Sequence, residues 1–249
     1  QCDFGMNKSV IVTGSSGSIG KAICTVFRET GFSVIGVDIR PETSYCDNFV
    51  EADLNKLCKS SGYVKTTVAS IRKSATSPIN VLINNAAVQI VKSMEKLSID
   101  DWQNTMNINV IAPFLLVQAL TPDLRTSGGC VINIASVHAF VTKPRFMCYA
   151  TSKAALIGLT RSMAVELGPE IRVNAISPAA VTTPMLMAGF QNKEKMLDQV
   201  RQAHPLARIA LPEEIANVAL FLASDAAGFI TGASYSVDGG ITARLHDPE

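Results

Sequence analysis

Short apolar runs alternate with helical patterns along this whole chain, and the runs end in glycine or polar residues. Ser9–Thr13 runs into Gly14, Gly17 and Gly20, then into a helical pattern from Ile19 to Thr30. Phe32–Val37 ends at Asp38, Phe49–Ala52 at Asp53, Ile79–Ile83 at Asn84-Asn85-Ala86-Ala87, and Cys130–Ala135 at Ser136. Arg172–Ile176 ends at Ser177-Pro178, and Tyr235-Ser236-Val237 at Asp238-Gly239-Gly240. Such β-branched runs read as buried parallel strands, which need helical crossovers to bring the chain back. The alternation specifies an α/β fold, a doubly wound parallel sheet with helices on both faces. No linker, repeat or composition shift divides it, so residues 1–249 are expected to form one domain with an insertion at about 179–204.

The first unit sets the ligand chemistry. A glycine-rich turn between a strand and a helix presents backbone N–H groups and a helix N-terminus to an anion. The 14/17/20 spacing is not the G-x-G-x-x-G fingerprint, and a plain tight turn fits that stretch equally well. Asp38 then falls at the tip of the second strand, roughly 20 residues beyond the glycines, where a carboxylate accepts the hydroxyls of an adenosine ribose. Its charge repels a 2′-phosphate, whereas Arg40 would attract one, so NAD is favoured over NADP. The polar strand ends (Gly14, Asp38, Asp53, Asn85 and Ser136) collect where open α/β sheets bind ligands.

Composition narrows the field. With 249 residues and 47% hydrophobic content the chain buries a sizeable core. The 22 basic and 21 acidic residues nearly cancel without a basic stripe, which argues against nucleic acid and membrane surfaces. The six cysteines show neither C-x-x-C nor a histidine at ligand spacing, so reduced thiols in a cytoplasmic protein are expected, with no metal. No signal peptide or bilayer-length apolar run is read, and the segment before Met6 carries no motif.

Helical stretches are expected at 55–73, from Ile99 past Asn109 towards Leu124 with a kink at Pro113, and from Pro212. Another carries Tyr149 and Lys153, continues through Met163 and Leu167, and stops at Gly168-Pro169. Tyr149 and Lys153, four residues apart, share a helix face. A cation about 4 Å from a phenol at an effective dielectric near 20 lowers its pKa from roughly 10 by two or three units. The pair is an acid/base device if a cofactor and substrate are built around it; alone, it is common on solvated helices. Asn109 lies among apolar residues and needs buried partners for its amide.

Thr13–Gly20, Asn84–Ala86, Asn109, Ser136, Tyr149 and Lys153, in this order, make the chain resemble the compact branch of the short-chain dehydrogenase/reductase family, from Lys8 to Gly240. The resemblance implies a Rossmann-type sheet of about seven strands, a nicotinamide cofactor and usually a homotetramer, with a homodimer as the alternative. It makes Tyr149 the general acid/base, Lys153 the group that lowers its pKa and holds the nicotinamide ribose, Ser136 the holder of the substrate oxygen, and Asn109 the support of a relay water. The cofactor positions it implies are Gly14, Ser16, Ser18, Ile19, Asp38, Asp53, Leu54, Asn85, Ala86, Pro178, Val181 and Thr183, besides Tyr149 and Lys153. Three positions depart from the family pattern: Ser18 stands where glycine is usual, and Ala87 and Ala179 replace glycines.

The expected activity is hydride transfer between NAD(H) and a secondary alcohol/ketone pair. NADPH-dependent reduction of 3-oxoacyl-type carbonyls and a non-catalytic dinucleotide-binding protein are the alternatives. His138, Arg145 and Met185, with Ser136, are the candidate substrate contacts, although a loop-stabilising role fits His138 and Arg145 at least as well. His204 and His246 read as structural.

Overall fold

The computed structural model of the chain describes residues 7–183, 186–187 and 194–245. Seven parallel strands form one sheet: β1 (Ser9–Thr13), β2 (Ser33–Asp38), β3 (Asn48–Glu51), β4 (Ile79–Asn84), β5 (Cys130–Ile134), β6 (Arg172–Pro178) and β7 (Ser234–Val237). Their order is β3-β2-β1-β4-β5-β6-β7, so the winding direction reverses between β1 and β4. A crevice opens at such a reversal, beyond the carboxyl ends of the strands.

Strand alternation divides the core. Ile11, Ile35, Leu82, Val131 and Val173 face one side, with Val68, Ile71, Leu116, Leu120 and Leu124 from the covering helices. Val10, Val12, Val34, Ile83 and Ile132 face the other, against Ile23, Phe27, Ile215 and Ala219. These side chains are almost wholly shielded, as expected of a parallel sheet covered on both faces. On the first face lie α3 (Ser61–Ser74), α5 (Ala112–Thr126) and α6 (Met147–Leu167). The second is covered by α1 (Ser18–Glu29) and α8 (Pro212–Ala223).

Three expectations need correction. The single helix expected over 55–73 is two: α2 (Leu54–Leu57), capped by Asp53, and α3, capped by the Ser60 hydroxyl on the Tyr63 amide at 3.2 Å. Each cap captures free amides, so two starts replace one. The kink expected at Pro113 is instead a π-helical turn, Asn107–Ile111, between α4 (Ile99–Met106) and α5. Pro113 has no N–H, so the Asn109 carbonyl loses its i+4 donor. Finally, the helical rod Ile99–Thr126 does reach membrane length by size and composition, with 28 residues that include an 18-residue window of mean hydropathy 1.2. Its apolar stripe is spent on the sheet: Leu116, Leu120 and Leu124 are fully buried there.

The insertion expected at about 179–204 contains α7 (Glu194–Ala203). Val181 bridges Ala210 in parallel at its base. Met185 lies outside the described residues, as does His246.

Candidate active site

The glycine turn and the β4 loop are built against each other. Gly14 sits at φ +65°, and a Cβ there would lie 2.8 Å from Ala86 Cα and 2.9 Å from Asn85 Nδ2. That amide donates to the carbonyls of Thr13 and Gly14, both at 3.0 Å. The Thr13 hydroxyl in turn accepts from the Asn85 and Ala86 amides at 3.0 and 3.1 Å. Gly20 has no room for a Cβ against the Gly14 carbonyl. Gly17 differs: it is the N-cap of α1 at φ −79°, with only the Gly14 oxygen at 3.4 Å. A glycine cap brings no side chain, so the amides of Ser18 and Ile19 open the helix uncapped towards the crevice. The unusual Ser18 therefore occupies the first helical position, where a Cβ is no obstacle.

Asp38 ends β2 beside this turn. One carboxylate oxygen accepts from the Ser16 amide at 3.1 Å, and the other from the amides of Ile39 and Arg40 at 2.7 and 3.2 Å. The Ser16 hydroxyl donates to the Arg40 carbonyl at 2.7 Å. Asp53 spends one carboxylate oxygen on the Asn55 and Lys56 amides, and Leu54 is buried behind it. A turn that a Cβ would fill, an uncapped helix N-terminus and an acid at the second strand tip fit a dinucleotide's pyrophosphate and ribose.

The titratable group lies across the crevice at the start of α6. Lys153 is 2% exposed and donates to the Ile134 carbonyl at 2.6 Å, with its nitrogen 5.6 Å from the centroid of the Tyr149 ring. Burial pushes this ammonium down to about 7. Burial also pushes the Tyr149 phenol above its ordinary value, while the Ser136 hydroxyl beside it pulls the other way. The expected lowering of the phenol by Lys153 is therefore not found in the protein alone. Desolvation disfavours the charged form of both groups, and the Lys153 hydrogen bond goes to a carbonyl rather than to the phenol.

Ser136 is buried just beyond β5, its hydroxyl accepting from the His138 amide at 3.2 Å. Asn109, 1% exposed in the π turn, accepts from the Val88 amide at 2.8 Å and donates to the Val88 carbonyl at 3.0 Å and Ser152 Oγ at 2.9 Å. Ser152 passes this on to the Tyr149 carbonyl at 2.7 Å. Sequence reasoning gave Ser152 no role, nor Thr13 one beyond opening the motif; a hydroxyl inside an apolar helix or strand is the signal that each is needed as a partner.

The outer wall is aromatic. His138 stacks on Phe146 at 4.6 Å and 1°, and meets the Tyr149 ring edge-on at 5.7 Å and 74°. Its Nδ1 lies 3.0 Å from Thr142 Oγ1, and burial together with the nearby Lys143 charge holds it below the ordinary histidine range. Arg145, at φ +75°, exchanges two bonds with the neighbouring loop: its guanidinium donates to the Val91 carbonyl and its own carbonyl accepts from Lys92. On the far side Pro178 ends β6, and the Thr183 hydroxyl accepts from the Leu186 amide at 3.1 Å. Among the described residues no three His, Cys, Asp or Glu side chains cluster to hold a metal ion.

The sequence model of a family described as enoyl-(acyl carrier protein) reductase matches residues 14–242. The NAD-dependent glycerol dehydrogenase of Listeria innocua is 32% identical over 254 residues, 97% of each chain. The D-threitol dehydrogenase of Mycolicibacterium smegmatis is 33% identical, covering 97% of this chain and 96% of its own. The chain belongs to the short-chain dehydrogenase/reductase family. The ligand-free aldohexose dehydrogenase of Thermoplasma acidophilum superposes with a TM-score of 0.90 at 33% identity, covering 99% of each chain. Membership makes the protein an oxidoreductase acting on CH–OH groups, transferring hydride between a nicotinamide cofactor and an alcohol/ketone pair.

Proposed function

We propose that this short-chain dehydrogenase/reductase is an NAD-preferring dehydrogenase of a small polyhydroxylated substrate, with Tyr149 as its general acid/base. The observation that carries the reading is Tyr149 between the Ser136 hydroxyl and the buried Lys153, across the crevice from the glycine turn. Gly14, Ser16, Ser18 and Ile19 would hold the dinucleotide along the turn, with Asp38 at the adenosine ribose, Asp53 and Leu54 near the adenine, and Asn85 and Ala86 beside it. Pro178, Val181 and Thr183 border the nicotinamide end. When bound in oxidised form, the cofactor supplies the hydride acceptor and a positive charge.

Ser136 holds the substrate hydroxyl by a hydrogen bond. Tyr149, as phenolate, takes the proton from that hydroxyl as the C–H bond breaks; in the reverse direction the phenol returns it. Cationic charge arriving beside a desolvated phenol favours its ionised form, and Lys153, once charged, adds to this. Asn109 steadies the start of α6 through Ser152 and, with no N–H at Pro113 to claim its carbonyl, would hold a relay water.

NAD preference is supported by Asp38, whose charge repels a 2′-phosphate, and by the NAD dependence of the glycerol dehydrogenase relative. A polyol or aldose substrate is supported by the glycerol, threitol and aldohexose activities of the relatives. His138, beside Tyr149, is the side chain that meets a second substrate hydroxyl. The same reading carries a cytoplasmic homotetramer, in which exposed Ile111, Phe114 and Val165 would find cover.

The test is NADH against NADPH binding, followed by turnover with a panel of polyols, aldoses and simple secondary alcohols. Preference for NADH with polyol turnover is expected. NADPH preference overturns the assignment of Asp38, and turnover confined to simple alcohols overturns the substrate class.

A further inference from the structure

We propose that the amino-terminal edge of the sheet, opposite the active site, carries a second binding site, for a small oxyanion. The amino ends of β1, β4, β5 and β6 frame a cavity of about 220 Å³ there. That is below the roughly 300–1,000 Å³ of pockets for drug-sized ligands and suits an ion or a small acid.

Two cations flank the cavity. Lys8 precedes β1 and Arg172 opens β6, with β4 and β5 between them. Both act on one group in the cavity wall: burial pushes the Cys130 thiol up to about 11, and the charges of Arg172 and Lys8 each pull it back. Arg172 is held in place by long bonds to the carbonyls of Ile230 and Ser224, both at 3.4 Å, which leaves other guanidinium N–H groups to spare. Neither cation is in an ion pair among the described residues, although Asp225 lines the same cavity. Two positive charges and one negative leave the site net positive. An arginine and a lysine facing one space suit an oxyanion.

Ser9 pairs with Ile79 and Val10 with Val81, so Asn80 is an extra residue bulged out of β4. Bulges re-aim side chains and are over-represented next to active sites. Asn80 lines the cavity and donates to the Ser127 carbonyl at 3.3 Å, which fixes the rim, while its Oδ1 is sealed from solvent and adds nothing to the ligand.

The experiment is calorimetric titration of the purified protein with inorganic phosphate, sulfate, glycolate and acetate. Wild type, Lys8→Met and Arg172→Gln are compared. Lys8→Met is the decisive variant because its ammonium holds no protein partner among the described residues. Phosphate and sulfate are expected to bind wild type at least tenfold more tightly than they bind either variant. An anion held only at the glycine turn would bind Lys8→Met as well as wild type, and that result overturns the site. Absence of binding by all four anions also overturns it.

Discussion

The Lys153 nitrogen stands 5.6 Å from the centroid of the Tyr149 ring, yet its 2.6 Å hydrogen bond goes to the Ile134 carbonyl. The lysine is thus fixed from below by the end of β5 before any cofactor arrives. The cost of burying it is carried by the fold, and it leads to a measurable pH dependence.

In the folded protein Lys153 titrates at about 7, against 10.5 for an ordinary lysine. Between these values the unfolded chain binds a proton that the folded one does not, so this group makes stability rise with pH. The buried cysteines, held above their ordinary values, give the opposite slope only from about pH 9 upward. Lys153→Met is expected to raise the Tm at pH 7, flatten the rise between pH 7 and 9, and abolish turnover. Thermal melts across that range check it; parallel curves for the two proteins would mean that Lys153 is not depressed.

Tyr149→Phe removes one hydroxyl and keeps the ring against His138. Turnover is expected to fall by about 10²–10⁴, the usual contribution of a positioned acid/base, with NADH affinity unchanged. Steady-state kinetics with fluorescence titration of NADH decides it, and a wild-type rate would remove Tyr149 from the chemistry.

Asn109→Ala leaves the Val88 amide and carbonyl and the Ser152 hydroxyl short of partners inside the fold. The expected loss is about 2–4 kcal/mol, since each buried unpaired group costs on the order of 1–3 kcal/mol. Asn109→Asp keeps the acceptor for the Val88 amide and loses both donors. Urea unfolding should place both variants below wild type, the Ala variant by that margin, and a variant as stable as wild type would remove Asn109 from this network.

Gly14→Ala and Gly17→Ala form a matched pair. Alanine at Gly14 meets the left-handed conformation and a Cβ contact 2.8 Å from Ala86 Cα. The conformation alone costs about 1–3 kcal/mol, and parting the two loops should weaken NADH binding as well. At Gly17 the new Cβ meets an ordinary 3.4 Å contact, leaving only the loss of a preferred N-cap residue, about 1 kcal/mol. Melting and NADH titration of both variants test the difference.

Asp38→Ala removes the charge that opposes a 2′-phosphate and frees the amides of Ser16, Ile39 and Arg40. The ratio of NADH to NADPH affinity is expected to fall at least about tenfold, equivalent to ~1.4 kcal/mol. An unchanged ratio would place cofactor choice elsewhere, with Arg40 the first residue to examine.

The alternation of apolar runs with helical segments, and the polar residue at each run's end, determined the doubly wound sheet and the edge that carries the site. Both are local properties: period and strand-end chemistry are written residue by residue. Tyr149 and Lys153 were legible together because four residues make one helical turn. What becomes of their pKa values was not, because a pKa depends on the water each group has lost, and burial disfavours the charged form of both. The π turn at Asn109 was equally hidden. It needs Val88 and Ser152 brought in from two other segments, and the sequence shows only a proline nearby. The bulge at Asn80 was silent for the same reason, since an extra residue exists only relative to the strand beside it. Sequence determined the elements and their order; only tertiary packing decided which polar groups are dry, which are paired and which still lack a partner.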